Sequence, residues 1–242
     1  MTANELKKYI LTNFDALYNN AAPGFEDDEL SVLASKAQLL YVLKCLKPYK
    51  DNEVFEETEV RKQGLSALIK DGAEATVPPA ELPTTVGVLP GERYWKLPSD
   101  FMFAIYEAAQ TNIPFCGTNT FRRIPIFPIQ HNEYNQNFYN TFKKPYCDGE
   151  FGIVWRINHG RINNDRIHGL ITDTTFTVTN YFLRYLKFPT NIVIDEDNPL
   201  NQVNPELDEV FQYAIGDLAI MLLDKAIRES VPISQLNINE LI

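Results

Sequence analysis

The chain has 242 residues with 45% hydrophobic content, enough for one large domain or two modest ones. Its formal charge of −10 makes it a poor candidate for gripping nucleic acid, because affinity for a phosphate backbone comes from Lys and Arg releasing counterions. Three cysteines, at 45, 116 and 147, contain no CxxC pair and an odd count, which argues against a secreted disulfide framework and for reduced thiols made in a cytoplasm.

The N-terminus is polar and amphipathic, so no signal peptide is expected. No apolar run approaches the roughly 20 residues of a membrane span, and no membrane association is expected. Thr2 and Glu5 form a capping box ahead of Leu6, Ile10, Leu11, Phe14, Leu17 and Tyr18 on one helical face. A second helix starts near Asp27-Asp28 and runs to Lys47-Pro48, carrying Leu30, Leu33, Ala37, Leu40, Val42, Leu43 and Leu46, with Cys45 as a core residue. A weaker helical segment covers 53–69, giving a helical N-terminal portion over 1–70.

Residues 71–91 are rich in turn residues and read as a loop or edge strand. A short helix is expected from Phe101 to Ala109, capped by Ser99 or Asp100, with Phe101, Ile105 and Ala108 on one face; loop and short helix together span 71–109. Residues 110–148 hold repeated prolines and six asparagines and read as an extended arm. Strand patterns follow at Phe151–Ile157, Asp165–Thr172 and Thr175–Phe188, split by Gly160 and Asn163-Asn164-Asp165, making a β-hairpin region over 149–195. The strongest helix signal lies in 196–230: Asn204 as cap, Pro205 at the first position, acids in the first turn, and a largely buried middle from Leu218 to Leu223. An acidic tail of little core potential covers 231–242. The class is α+β: an N-terminal helical bundle portion, a small antiparallel sheet with an arm, and a long buried C-terminal helix.

Charge is unevenly spread. Residues 151–190 carry 5 basic and 2 acidic side chains, whereas 191–242 carry 2 and 10. The chain has no P-loop, GxGxxG, HExxH or GxSxG, so it is not read as an enzyme, and no metal or cofactor is expected. A zinc site through Cys116, Cys147 and a histidine is the weaker alternative. His131, His159 and His168 with Arg156, Arg161 and Arg166 would make either an acid-binding patch or, more simply, a solvated hairpin face. Trp155, Tyr181 and Tyr185 would line a pocket or, more simply, form core or interface. Acid pairs such as Asp27-Asp28 and Asp208-Glu209 are accounted for by helix starts.

Three stretches, in order, resemble the ring (connector) proteins of crAss-like bacteriophages. Tyr94-Trp-Lys-Leu-Pro-Ser-Asp-Phe101 is similar to the family's "Y-x-L-P-x-D-F" element. Ile129-Gln-His-Asn-Glu-Tyr134, Asn140-Thr-Phe-Lys-Lys-Pro145 and Val154-Trp-Arg156 look like its "H-D-E-Y … N-P-F-K-K-P … V-W-R" run. Tyr185-Leu-Lys-Phe-Pro189 with Asn204-Pro-Glu-Leu-Asp-Glu209 is similar to "Y-L-K-x-P … H-P-E-I-x-E-x-I". Thr141 stands where a proline is usual, and Asn204 where the family has histidine.

The resemblance implies a non-enzymatic virion protein forming a closed ring of about 12 copies in the head-to-tail connector of a short-tailed phage, made in the bacterial cytoplasm. Its implied partners are itself, the portal, neighbouring ring and tail proteins, and genomic DNA that passes without specific binding. Subunit-interface candidates are Tyr134, Phe138, Phe142, Lys143, Lys144, Arg156, Arg161 and Arg166. The competing readings are another virion role such as tail hub or cargo, a small enzyme with an unfamiliar site, and a monomeric adaptor binding through the arm.

Overall fold

A computed structural model describes residues 1–18, 24–46, 63–72, 91–115, 118–140, 143–148, 151–162, 165–173 and 175–235. The chain divides into two compact units: a helical unit of Met1–Ile69 with Phe188–Ile242, and a sheet unit of Lys70–Lys187.

In the helical unit, α1 (Ala3–Leu17) starts at the expected capping box: Thr2 Oγ1 accepts from the Glu5 amide and the Glu5 carboxylate from the Thr2 amide. Leu6, Ile10 and Phe14 are buried, while Leu17 is exposed, so the apolar stripe ends one turn before the sequence suggests. Helix α2 (Asp27–Leu46) has the expected bounds, with three acids in its first turn. Its Ser31, Ser35 and Gln38 lie on one face and fasten the segment after the sheet. Ile194 and Ile192 amides donate to Ser31 and Ser35 Oγ at 2.9 Å each, and Gln38 Nε2 donates to the Thr190 carbonyl at 2.9 Å. Between α1 and α2, Lys7 Nζ is paired with Asp27 at 2.6 Å and Glu196 at 3.2 Å.

The C-terminal helix, α4 (Glu209–Glu229), begins later than expected. Asp208 is its N-cap, accepting from the Glu209 amide, and Ser230 in the left-handed region ends it. Asn204 instead accepts the Ala3 amide at 2.8 Å, satisfying the open end of α1. Helix α4 packs against both α1 and α2. At Gly216 an added Cβ would sit 2.5 Å from the Tyr9 ring, so glycine lets Tyr9 cross the helix closely. The tail is not devoid of core: Ile233 is buried, and its carbonyl accepts from Lys36. Cys45 is half-buried, and most of 53–69 lies outside the described residues, although Leu65 and Leu68 are buried.

The sheet unit is an eight-stranded sheet: β1 (Ile69–Gly72), β2 (Glu92–Lys96), β3 (Phe101–Phe115), β4 (Thr118–Pro128), β5 (Tyr146–Asp148), β6 (Phe151–Ile162), β7 (Asp165–Ile171) and β8 (Thr177–Lys187). The order is β1-β8-β3-β4-β6-β7-β2, with β5 added on β6; β4 and β6 run parallel, joined through helix α3 (His131–Phe138). The α+β class is as expected, and the sheet is larger than three hairpin strands. The helix expected at Phe101–Ala109 is strand. Register shifts between Phe101 and Phe103 and between Ala104 and Tyr106 break the period of two, so buried and exposed positions recur at helix-like intervals. The 110–148 segment supplies the end of β3, then β4, α3 and β5.

Candidate functional site

Strand alternation sorts the sheet's side chains onto two faces. On the inner face, Trp95, Phe101, Ala109, Ile124, Val154, Leu170, Val178, Tyr181 and Tyr185 belong to one buried cluster, which makes Tyr181 and Tyr185 core residues. On the outer face α3 covers β6 and β7, with Tyr134 edge-on to Trp155 above Ile157 and Ile171.

Within the inner core lies a closed polar circuit. Arg156 Nη1 is 3.2 Å from His168 Nε2, and His168 Nδ1 is 3.0 Å from the Tyr181 hydroxyl. Tyr181 donates to Glu107, whose other oxygen is 3.3 Å from Arg156 Nε. Arginine only donates, so His168 Nε2 accepts and the proton sits on Nδ1, directed at Tyr181. Burial, then the charges of Arg156 and His159, push the His168 imidazole down to about 3, so it is neutral. Burial pushes Glu107 up, opposed by the Arg156 charge and the Tyr181 hydrogen bond. Tyr181 is held well above its ordinary value by burial and by Glu107.

A second cluster lies under α3. His159 Nε2 is 2.5 Å from Glu92, Tyr94 donates to the same carboxylate at 2.8 Å, and the His131 ring stands 5.1 Å from that of His159. Gly169 makes room for this: a Cβ there would lie 2.0 Å from the Glu92 oxygen. The histidines therefore form no common patch. His131 and His159 meet on one face, while His168 is buried on the other, which corrects the reading of a solvated hairpin face.

The interface candidates are dispersed. Tyr134 is buried against Trp155, and the Arg156 side chain is 16% exposed within the circuit. Arg166 donates to the Phe101 carbonyl. Lys144 is 3.7 Å from Asp173, and Lys143 and Arg161 are exposed. Phe138 ends α3, and Phe142 lies outside the described residues, as does Cys116. Among the described residues no group of three or more His, Cys, Asp or Glu is arranged to hold a metal, and no helix is long and apolar enough to cross a membrane.

The aromatic outer face of β8, β3 and β4 was missed from sequence. Paired residues share a face, so Arg184 with Tyr106, and Phe182 with Ala108 and Pro125, point outward. Phe127 continues the row on β4, and the Arg123 guanidinium lies 4.3 Å from the Phe182 ring centroid. Tyr106 and Phe127 are 54% and 49% exposed, on a face that α3 leaves open. Alternation on β8 was the available signal, but the β3 contribution was hidden by the helix assignment.

Such buried circuits and open aromatic faces suit a structural subunit, and comparison with known proteins places this chain among the structural ring proteins of phages. Residues 1–226 match the model of the phage tail ring protein 3/4 family, and the chain belongs to that family. It is similar to ring protein 4/5 of Bacteroides phage crAss001, with 31% identity over 199 residues, covering 80% of this chain and 75% of that protein.

Proposed function

We propose that this chain is a non-enzymatic subunit of a closed ring in the head-to-tail connector, below the portal, and part of the channel through which the genome leaves. The observation that carries this reading is the family match from residue 1 to 226, which spans both units. About 12 copies related by rotation would close the ring through a heterologous contact, one surface meeting a different surface of the next copy. Of the sequence-derived candidates, Lys143 and Arg161 are exposed and suited to such a contact, while Lys144 is already 3.7 Å from Asp173.

Charge supports passage without adhesion. The helical unit has 10 basic and 21 acidic residues, and the sheet unit 12 and 11. An acidic lining repels phosphates, so DNA slides without being held. The His168 circuit supports the non-enzymatic reading, because its members are engaged with one another inside the core, by hydrogen bonds at His168 and Tyr181 and by an ion pair between Arg156 and Glu107.

Imaging of the phage particle with symmetry imposed about the tail axis tests the proposal. A ring of this chain beside the portal is the expected result. Its absence from the tail axis would overturn the reading.

A further inference from the structure

We propose that the open outer face of β8, β3 and β4 on one copy docks on the α1–α4 face of the next copy, and that this is the contact that closes the ring. The inference rests on the ring reading above and names the two surfaces that reading requires.

The sheet surface has the composition of an interface centre: Tyr106, Phe127 and Phe182 with Arg123 and Arg184 on adjacent strands. These aromatics sit on paired strands, so presenting them costs little ordering entropy. The acid of this region, Glu107, points inward to Arg156 and Tyr181, so the described outward side chains include no acid and comprise cations, aromatics and the neutral pair Gln110 and Asn180.

The helical surface is its complement. Along α4, Val210, Tyr213, Asp217 and Met221 follow one exposed line, with Val210 72% and Met221 57% exposed. Leu17 of α1 is likewise exposed. An open groove of about 450 Å³ runs between Glu5 and Tyr9 of α1 and Glu209 and Tyr213 of α4, and Lys8 also borders it. Tyr9 stands edge-on to Tyr213 at 5.5 Å and donates to Asp217 at 2.8 Å, so the groove wall is held before a partner arrives. Glu5 and Glu209 border the groove together with Lys8 and the Met1 amino group, which is 3.9 Å from Glu209, and Asp217 stands beside it on Tyr9, so acids exceed cations by one around the apolar groups.

Cation-and-aromatic meets acid-and-apolar, and the unlike surfaces make the contact heterologous, as a ring demands. Neither surface is complementary to itself in charge, which disfavours a two-fold dimer.

The test is photo-crosslinking within particles that carry benzoylphenylalanine at Tyr106, assembled from a mixture of ¹⁴N and ¹⁵N copies. The expected product joins position 106 of one copy to an α1 or α4 peptide of an oppositely labelled copy. An adduct to any other segment, to a different virion protein, or no adduct in particles whose ring is visible would overturn the proposal. Absence of the ring itself would instead overturn the connector reading. As a second arm, Arg123→Glu with Arg184→Glu should lower incorporation at least ~10-fold, and adding Glu209→Arg with Asp217→Arg should restore it to within about 3-fold. Thermal unfolding of each free chain checks that folding is intact, and a folded double variant that incorporates normally would also overturn the idea.

Discussion

Arg156 of β6 and His168 of β7 lie 3.2 Å apart, Nη1 to Nε2, and that contact fixes the histidine as neutral with its proton on Nδ1. A second proton would sit on Nε2, facing a guanidinium in a buried site. The same Arg156 neutralises Glu107, so one side chain sets the charge state of two others.

Removing Arg156 should therefore destabilise the protein before it affects any contact between copies. Arg156→Ala leaves Glu107 buried without its counter-charge, and a loss of about 3–5 kcal/mol is expected by chemical unfolding. Arg161→Ala, at an exposed position, should leave stability within about 0.5 kcal/mol. If both behave alike, the circuit does not have the energetic role described.

Stability should fall on acidification because of His168. The unfolded imidazole binds a proton near its ordinary 6.5, whereas the folded one does so only at about 3. Between these values the unfolded state holds more protons, so His168 contributes a loss of up to ~1.4 kcal/mol per pH unit as pH falls. Glu107, with its value raised, works in the opposite direction between its ordinary 4.5 and its raised value. Comparing melting temperatures of the native chain and His168→Gln from pH 7 to 4 isolates the term. The native chain should show the steeper decline, and parallel curves would refute the assignment.

At the alkaline end, Tyr181 and Tyr185 resist ionisation when folded, Tyr185 being pushed up to about 12 by burial and Asp100. The unfolded phenols ionise near 10, so stability should drop above that pH as unfolding releases protons. Tyr181→Phe should flatten the drop in a denaturant titration between pH 9 and 11.

Gly216→Ala should disturb the helical unit, since the new methyl would meet the Tyr9 ring at 2.5 Å. Helix propensity favours alanine by about 1 kcal/mol, but overpacking costs about 1–3 kcal/mol, and a net loss in melting temperature is expected. Tyr9→Ala in the same background should recover part of it.

Gln38→Ala should cost about 1–3 kcal/mol, because Gln38 is 1% exposed and bonds the Thr190 carbonyl and, at 3.4 Å, the Glu206 amide. Amide exchange at residues 190–194 and 206 should quicken together, which a general loss of helix packing would not produce selectively.

Local chemistry made several elements legible in the sequence. The Thr2–Glu5 box, the acids opening α2, the alternation of β6 to β8 and the apolar stripe of α4 each depend on residues a few positions apart. The ordered motifs likewise pointed to the family. Tertiary contacts decided the rest. Asn204 looked like a helix cap, yet the open end of α1, 201 positions away, takes its side chain, and Asp208 caps α4 instead. Phe101–Ala109 has helix-like spacing because two register shifts against β8 move its faces, and such shifts exist only once the partner strand is in place. Arg156 looked like a surface cation among others until the sheet set it beside Glu107 and His168. A sequence displays charge and period, but which charges are desolvated together depends on strands distant in the chain meeting across one core.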